Sequence, residues 1–215
     1  MTLKLDNPAV PNMPIAPREY SPGYQDQFIN VLRLYFNRLQ NITQNLLGPD
    51  GGRFMSNPFG AWSSDSDQSA VSTTAAYAIT YDVTDVGDSV YLSNGSRLNV
   101  TYPGVYNLQF SIQFTNTDTQ IHDVDVWAAI NGTNLSNSNS RFSVPNRHGG
   151  IDGHLIAALN LFLPLQAGDY AELYWATNDL GVRIEHIPAA SSPTRPATPS
   201  VIATMAFVSS IPGLS

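Results

Sequence analysis

Residues 104–114 read GVYNLQFSIQF, and this segment decides the fold class of the chain. Apolar and polar side chains alternate along it without interruption, and a period of two places the two sets on opposite faces of a β-strand. The apolar set is Tyr106, Leu108, Phe110, Ile112 and Phe114, and the polar set is Asn107, Gln109, Ser111 and Gln113. The segment therefore predicts an antiparallel strand that is buried on one side only.

The same alternation recurs on both sides of this segment and predicts further strands. They lie at residues 75–83, 90–92, 98–100, 122–130, 154–163, 170–177, 182–187 and 201–208. Asn94-Gly95 and Asn131-Gly132 predict tight turns. A long polar loop is predicted from residue 133, after the second of these turns, to residue 150, and a proline-rich loop at 188–199. About eight to ten short strands with frequent turns predict a mostly β fold, an antiparallel jelly-roll sandwich.

Two of these strands, 154–163 and 201–208, are apolar on both faces. A sandwich core covers only one face of each sheet, so the second face needs another partner. We therefore predict that this face meets other copies of the chain. The side chains assigned to this interface of the head are Ile156, Ala158, Phe162, Ile202, Ala206 and Val208.

Residues 24–47, YQDQFINVLRLYFNRLQNITQNLL, show a different pattern. Apolar side chains recur at alternating spacings of three and four, which is the heptad seam of a coiled coil and predicts that copies of the helix associate as a stalk. An amphipathic helix packed on its own domain stays open as an alternative, because Ile29, Val31 and Phe36 broaden the apolar face. The seam comprises Phe28, Leu32, Tyr35, Leu39, Ile42 and Leu46.

The chain divides into four predicted parts. Residues 1–23 carry prolines at 8, 11, 14, 17 and 22, and proline at this density prevents a helix and predicts an extended arm. The arm is either a disordered leader or a peptide that docks on a larger assembly. Residues 24–47 form the coiled-coil helix, 48–57 a linker and 58–215 the jelly-roll head domain.

Composition excludes several classes of partner. Charged residues make up 13% of the 215, the net charge is −7, and Lys4 is the single lysine. Because the basic residues are few and scattered, we expect no nucleic-acid binding. No uncharged apolar run approaches about 18 residues, so we expect no membrane insertion. The N-terminus lacks a secretion signal pattern, so we expect synthesis in a cytosol.

Few residues are arranged for chemistry. His148, Asp152 and His154 are the group most like a metal or active site, with His122, Asp123 and Asp125 elsewhere, but their spacing matches no zinc motif. Calcium bound through Asp123 and Asp125 stays open. Glu172 and Glu185 stand alone in strands and are interpreted as solvent-facing. We therefore predict no catalytic residue, no metal, no cofactor and no enzymatic activity.

Four longer segments resemble the jelly-roll family that includes the globular heads of complement and tumour necrosis factor-like domains. They are YPGVYNLQFSIQF (102–114), HDVDVWAAINGT (122–133), LQAGDYAELYWATND (165–179) and SVIATMAFVS (200–209). PFGAWSSDSDQ (58–68) and VPNRHGGIDGH (144–154) are similar to segments of marine bacteriophage structural proteins. The resemblance implies a trimeric virion fibre or spike, made in the host cytoplasm.

The implied partners are copies of this chain, other virion proteins contacting the arm, and a host surface glycan or receptor. The residues assigned to receptor-facing loops are Arg141, Arg147, His148 and Arg195. Two alternatives stay open. A secreted recognition module of the complement-head type would need a signal peptide upstream of Met1, and a polysaccharide-modifying enzyme would need acids clustered at one end of the sandwich.

Overall fold

Residues 9–47 and 57–211 are described by a computed structural model, with the side chains of 45–47 outside the described part. The chain divides into two compact units, Met1–Ser56 and Asn57–Ser215. The side chain of Leu46 and nearly all of the predicted linker lie outside the described residues.

The first unit contains one helix, α1, which spans Pro22–Leu47. Residues 9–21 contain no helix or strand. The Ser21 hydroxyl accepts a hydrogen bond from the Tyr24 N–H at 3.4 Å, and its carbonyl accepts one from the Gln25 N–H at 3.2 Å. Serine before a helix and proline at its first position both suit a helix start, because proline has no N–H to satisfy. The helix therefore starts two residues before the predicted start at residue 24.

The second unit is mostly β, as predicted, and all pairings between its strands are antiparallel. Within residues 57–211 it contains sixteen strands: β1 Phe59–Ser64, β2 Gln68–Ser69, β3 Tyr77–Ala78, β4 Val83–Asp88, β5 Val90–Ser93, β6 Arg97–Val100, β7 Gly104–Asn116, β8 His122–Ile130, β9 Thr133–Asn134, β10 Ser140–Val144, β11 Gly153–Leu165, β12 Tyr170–Thr177, β13 Val182–Ile184, β14 Ala190–Ser191, β15 Thr194–Arg195 and β16 Val201–Ser209.

These strands form two seven-stranded sheets and one small hairpin. Sheet A contains β11, β7, β16, β1 and β4 in that order. The strand β13 pairs with the last residues of β7, on the same side as β16, and its other side pairs with β2. Sheet B has the order β10, β8, β12, β6, β5, with β3 added to β12 and β9 to β8. β14 pairs with β15. The predicted turns are confirmed, because Asn94-Gly95 and Asn131-Gly132 all adopt positive φ angles.

The inward faces of the two sheets share one core, which makes the unit a β-sandwich. Alternate residues of β7 are buried, and the ring of Phe114 lies 5.7 Å from that of Trp175 on the other sheet. Trp62, Tyr106 and Trp175 are also fully buried. Full burial of one large apolar side chain stabilises a fold by about 1.5–3 kcal/mol, so this shared layer holds the two sheets together.

The predicted strand at residues 75–83 is wrong in its extent. Only Tyr77–Ala78 and, further on, Val83–Asp88 are strands. Ile79 and Tyr81 are buried between them, but their N–H groups bond to the carbonyls of Leu173 and Gly95, on two different elements. The segment therefore changes its partner midway, although its alternating burial is that of one strand. The strand β1 was not predicted.

The predicted loop at residues 133–150 is also wrong, because it contains β9 and β10. β10 pairs with β8 over five positions at the edge of sheet B. A polar edge strand has few buried side chains, so it resembles a loop in sequence. The proline-rich segment at 188–199 likewise contains the β14–β15 hairpin.

Candidate functional site

The outward surface of β11, β7 and β16, called here the outer face of sheet A, carries exposed apolar side chains. Ile156 and Phe162 are each 60% exposed, and Ile202 is 42% exposed. All six side chains assigned to the head interface from sequence lie on this surface: Ile156, Ala158, Phe162, Ile202, Ala206 and Val208 are exposed in the single chain. The core of the chain therefore leaves the second face of these two strands uncovered.

The strand register arranges this face as two mostly apolar flanks around a polar centre, with one fully polar row made by Asn160, Gln109 and Thr204. Ser111 of β7 lies between Ala158 and Ile202, and Asn107 lies between Phe162 and Ala206. The Oδ1 atom of Asn107 is buried and has no hydrogen-bond partner among the described residues. A surface that covers this face must therefore offer hydrogen-bond donors at its centre, because unpaired buried polar atoms are costly.

The strand β11 is also an edge strand. Among the described residues it pairs only with β7, over all thirteen positions from Gly153 to Leu165. A long, apolar edge strand exposes unpaired N–H and C=O groups, and natural proteins usually cover such an edge. Within residues 57–211, the edge and the adjoining apolar face are thus uncovered on the same side of the sandwich.

None of the five seam side chains that the structure describes is fully buried. Phe28, Leu32, Tyr35 and Ile42 are half-buried and Leu39 is exposed. The flanking side chains Ile29, Leu34 and Phe36 are more exposed still. The described part of the first unit therefore leaves the apolar surface of the helix largely uncovered, and its pairing in a coiled coil remains a prediction.

A polar network lies at the end of sheet A where β11 begins. The Thr115 hydroxyl donates to Glu185 and contacts His154 Nδ1 at 2.9 Å, while Arg183 donates to Glu185 at 2.6 Å. Burial raises the pKa of the Glu185 carboxyl, but the hydrogen bonds from Thr115 and Arg183 outweigh this effect and hold it below its usual value. These bonds connect β11, β7 and the end of β13.

The residues that the sequence showed as most like a metal site, although no metal was predicted, do not form a group of possible ligands among the described residues. Asp152 pairs with Arg147 at 3.2 Å, His154 belongs to the polar network, and His148 forms a bridge with Ile151. The group that the described residues do bring together was missed from sequence.

That group consists of Asp118, His122 and Asp179, whose ligand atoms lie within 4.8 Å of one another. His122 Nε2 is 2.7 Å from Asp118 Oδ2 and 3.8 Å from Asp179 Oδ2. The hydrogen bond with His122 lowers the pKa of the Asp118 carboxyl. The two aspartates also accept bonds from the backbone N–H groups of Thr119 and Gly181. These contacts join the β7–β8 turn to the β12–β13 turn.

The carboxylates considered for calcium or catalysis are already engaged. Arg141 donates to both oxygens of Asp125 at 3.1 and 3.0 Å, and Ser143 donates to Asp123 at 2.7 Å. The interpretation of Glu172 as solvent-facing is wrong. Its side chain is buried, accepts a hydrogen bond from Ser96 at 2.7 Å and lies 3.6 Å from Arg97.

The four residues assigned to receptor-facing loops are exposed but differ in setting. Arg141 lies on β10 and not in a loop, with its guanidinium against Asp125. Arg147 and His148 lie in the segment between β10 and β11. Arg195 lies on β15 and donates to the Pro188 carbonyl at 3.2 Å.

A groove on the outer face of sheet B was missed from sequence. It has a volume of about 350 Å³ and lies beside Trp127, and it is called here the Trp127 groove. The sequence did contain a sign of this groove: Trp127 lies on the same outward face of β8 as Asp123 and Asp125. A large aromatic side chain at an outward position is not needed for the core.

No protein-family model matches the chain, and no curated protein matches it. Within residues 9–47 and 57–211, no helix combines the length and the apolar character that a membrane span requires. Function is therefore inferred from the chain's own surfaces.

Proposed function

We propose that this chain is a homotrimeric structural protein of a bacteriophage particle, a fibre or spike whose jelly-roll head attaches to the host surface. One observation carries the proposal: the outer face of sheet A exposes two mostly apolar flanks, and one of them ends at an edge strand whose outer side is unpaired among the described residues. An exposed apolar surface of this kind is typical of a protein–protein contact.

The strand order supports a jelly roll. Its four main strands in sheet A are ordered β1, β16, β7, β11, and those in sheet B are ordered β6, β12, β8, β10. The first strand along the chain, β1, is thus a neighbour of the last, β16, and the chain crosses repeatedly between the two sheets. Such long crossovers between two antiparallel sheets are typical of the jelly roll.

Two separate surfaces support self-association. The outer face of sheet A belongs to the second unit, and the apolar helix α1 belongs to the first. A heptad helix and an apolar sheet face can both be covered by copies around one symmetry axis. The number three comes from the resemblance to complement heads and tumour necrosis factor-like domains, in which the heads are compact trimers.

The arm supports attachment to a larger assembly. Val10, Ile15 and Tyr20 are almost fully exposed, and Met13 is exposed to a smaller extent. Several apolar side chains on an extended segment can be buried when the segment lies along another protein. That this protein belongs to a virion rests on the resemblance of residues 58–68 and 144–154 to marine bacteriophage structural proteins.

Two measurements test the proposal. Light scattering on the purified chain should give a mass three times that of the 23.4 kDa monomer. A monomer mass at micromolar concentration would refute the trimer. Mass spectrometry of purified particles of the phage that encodes the chain should recover its peptides, and their absence from intact particles would refute the virion role.

A further inference from the structure

We propose that the Trp127 groove binds a neutral pyranose unit of a glycan, an inference that rests on the proposed attachment function and assigns its ligand and site. The groove lies on the outer face of sheet B, on the opposite sheet from the apolar outer face of sheet A. Its volume of about 350 Å³ is at the small end of the range for ligand pockets and suits one or two sugar rings.

The aromatic platform at the groove is the indole of Trp127, which lines the groove and stacks on a tyrosine outside the lining. Trp127 and Tyr174 are direct cross-strand neighbours on β8 and β12, with ring centroids 6.0 Å apart and planes 17° from parallel. The Trp127 Nε1–H donates to Asn134 Oδ1 at 2.8 Å, which holds the indole in one orientation. The electron-rich face of an aromatic ring attracts the weakly positive C–H groups of a pyranose ring.

Small side chains leave room beside this platform. Ala176 follows Tyr174 on the same face of β12 and lies opposite Asp125 in the register. A larger side chain at this position would fill the groove. The small Ala176 side chain therefore leaves space in the groove next to the indole of Trp127.

Amide groups surround the platform. Among the described residues, Asn134 Nδ2, Asn139 Oδ1 and the side chain of Asn137 have no hydrogen-bond partner, although all three residues line the groove. An amide offers a donor and an acceptor in one plane, which matches the adjacent hydroxyl groups of a sugar. Hydrogen-bond donors and hydrogen-bond acceptors for a neutral sugar are thus both present.

The loop that carries these amides is held in place by the sheet. The Ser138 hydroxyl is buried, accepts the Ala128 N–H at 3.1 Å and donates to the Leu135 carbonyl at 2.8 Å. Asn137 has a φ of 63°, a left-handed conformation that asparagine adopts more readily than most residues. A loop fixed before binding loses less entropy when it captures a ligand.

The charges favour a neutral ligand. The one carboxylate lining the groove, Asp125, is neutralised by Arg141 through two hydrogen bonds. These bonds and the one from Asn139 lower the pKa of the Asp125 carboxyl, so the ion pair persists at neutral pH. Neither an acidic sugar nor a cationic peptide would find an unpaired opposite charge here.

The test uses the intact chain. A glycan array of neutral and acidic glycans is screened first, and methyl glucoside, galactoside, mannoside and N-acetylglucosamine are then titrated by calorimetry and by tryptophan fluorescence. Trp62 and Trp175 are fully buried, so Trp127 is the tryptophan that a surface ligand can reach. We expect at least one neutral pyranoside to bind and to change the emission.

Two variants and one control locate the site. Trp127→Ala should weaken binding by about tenfold or more through loss of the stacking surface. Asn137→Gly removes an amide but keeps the left-handed backbone, and it should weaken binding by about three- to tenfold. Tyr91→Ala, at an exposed tyrosine of β5 outside the groove, should change binding by less than about twofold.

The inference is overturned if no neutral glycan binds, if only acidic glycans or peptides bind, or if binding survives both groove variants. Light scattering on the same samples separates this outcome from failure of the proposed function. If the chain is a trimer but binds no neutral sugar, the glycan site in the groove is refuted and the proposed function is not. Circular dichroism checks that Trp127→Ala is folded, and Asn137→Gly provides the test if it is not.

Discussion

Replacing Phe162 by alanine tests self-association through the outer face of sheet A. Phe162 is 60% exposed on β11, in one row with Asn107 and Ala206. Most of its ring contributes nothing to the core of the single chain. The change should therefore weaken association much more than it weakens the fold.

The magnitude follows from the exposed fraction. Complete burial of a phenylalanine side chain stabilises by about 1.5–3 kcal/mol, so the 60% still exposed is worth ~1–2 kcal/mol per subunit if a neighbour covers it. Three subunits together lose ~3–5 kcal/mol, which lowers the association constant of the trimer by about 10²- to 10⁴-fold.

Subunit exchange between two differently labelled preparations measures this effect, because changes in affinity appear mainly in the dissociation rate. Phe162→Ala should exchange far faster than the wild type. Leu180→Ala is the matched control, since Leu180 is 55% exposed but lies in the turn between β12 and β13. Equal exchange rates for the wild type and Phe162→Ala would refute the reasoning, and so would an equal acceleration by Leu180→Ala.

Three further predictions concern the helix, the carboxylates and the buried glutamate. Leu39→Asp places like charges in the helix seam, so sedimentation should show weaker association while the melting temperature of the head stays unchanged; a lost head transition would contradict this. Asp118 and Asp125 have lowered pKa values because of hydrogen bonds with His122 and Arg141, so both stabilise the fold above the ordinary pKa of about 4 and lose this effect as the pH falls through the lowered values. Urea midpoints should therefore fall steeply below about pH 4, and Asp125→Asn should flatten that dependence; an unchanged slope would argue against the assignment. Glu172→Ala leaves Ser96 without its acceptor and Arg97 without its ion-pair partner, and should cost about 1–3 kcal/mol in urea unfolding, with Glu172→Gln recovering part of it; a loss below about 0.5 kcal/mol would show that the buried contacts are weak.

Strand prediction succeeded where alternation is a local property of the chain. The predicted strand at 104–114 corresponds to β7, and 122–130 and 170–177 match β8 and β12 residue for residue. β1 and β10 were missed because β1 is rich in small residues and β10 is a polar edge strand. The apparent strand at 75–83 failed because alternating burial does not require one continuous ladder.

The functional surfaces could likewise be predicted only where the sequence pattern is local. Apolar residues on both sides of 154–163 and 201–208 showed from sequence which six side chains the core cannot cover. The Asp118, His122 and Asp179 group and the Trp127 groove bring together residues from separate turns and strands. Their proximity depends on which strands become neighbours, and alternation within one strand carries no information about its neighbours.

The sequence by itself determined the mostly β class, the position of the helix and the faces that point away from the core, because each follows from the spacing of residues a few positions apart. Only the tertiary structure decided that β7 separates β11 from β16, which produced apolar flanks around a polar centre. It also decided that Asp125 is neutralised by Arg141 and that Trp127 stacks on Tyr174. These contacts arise from strand pairing between distant segments, which is set by the packing of the whole sandwich.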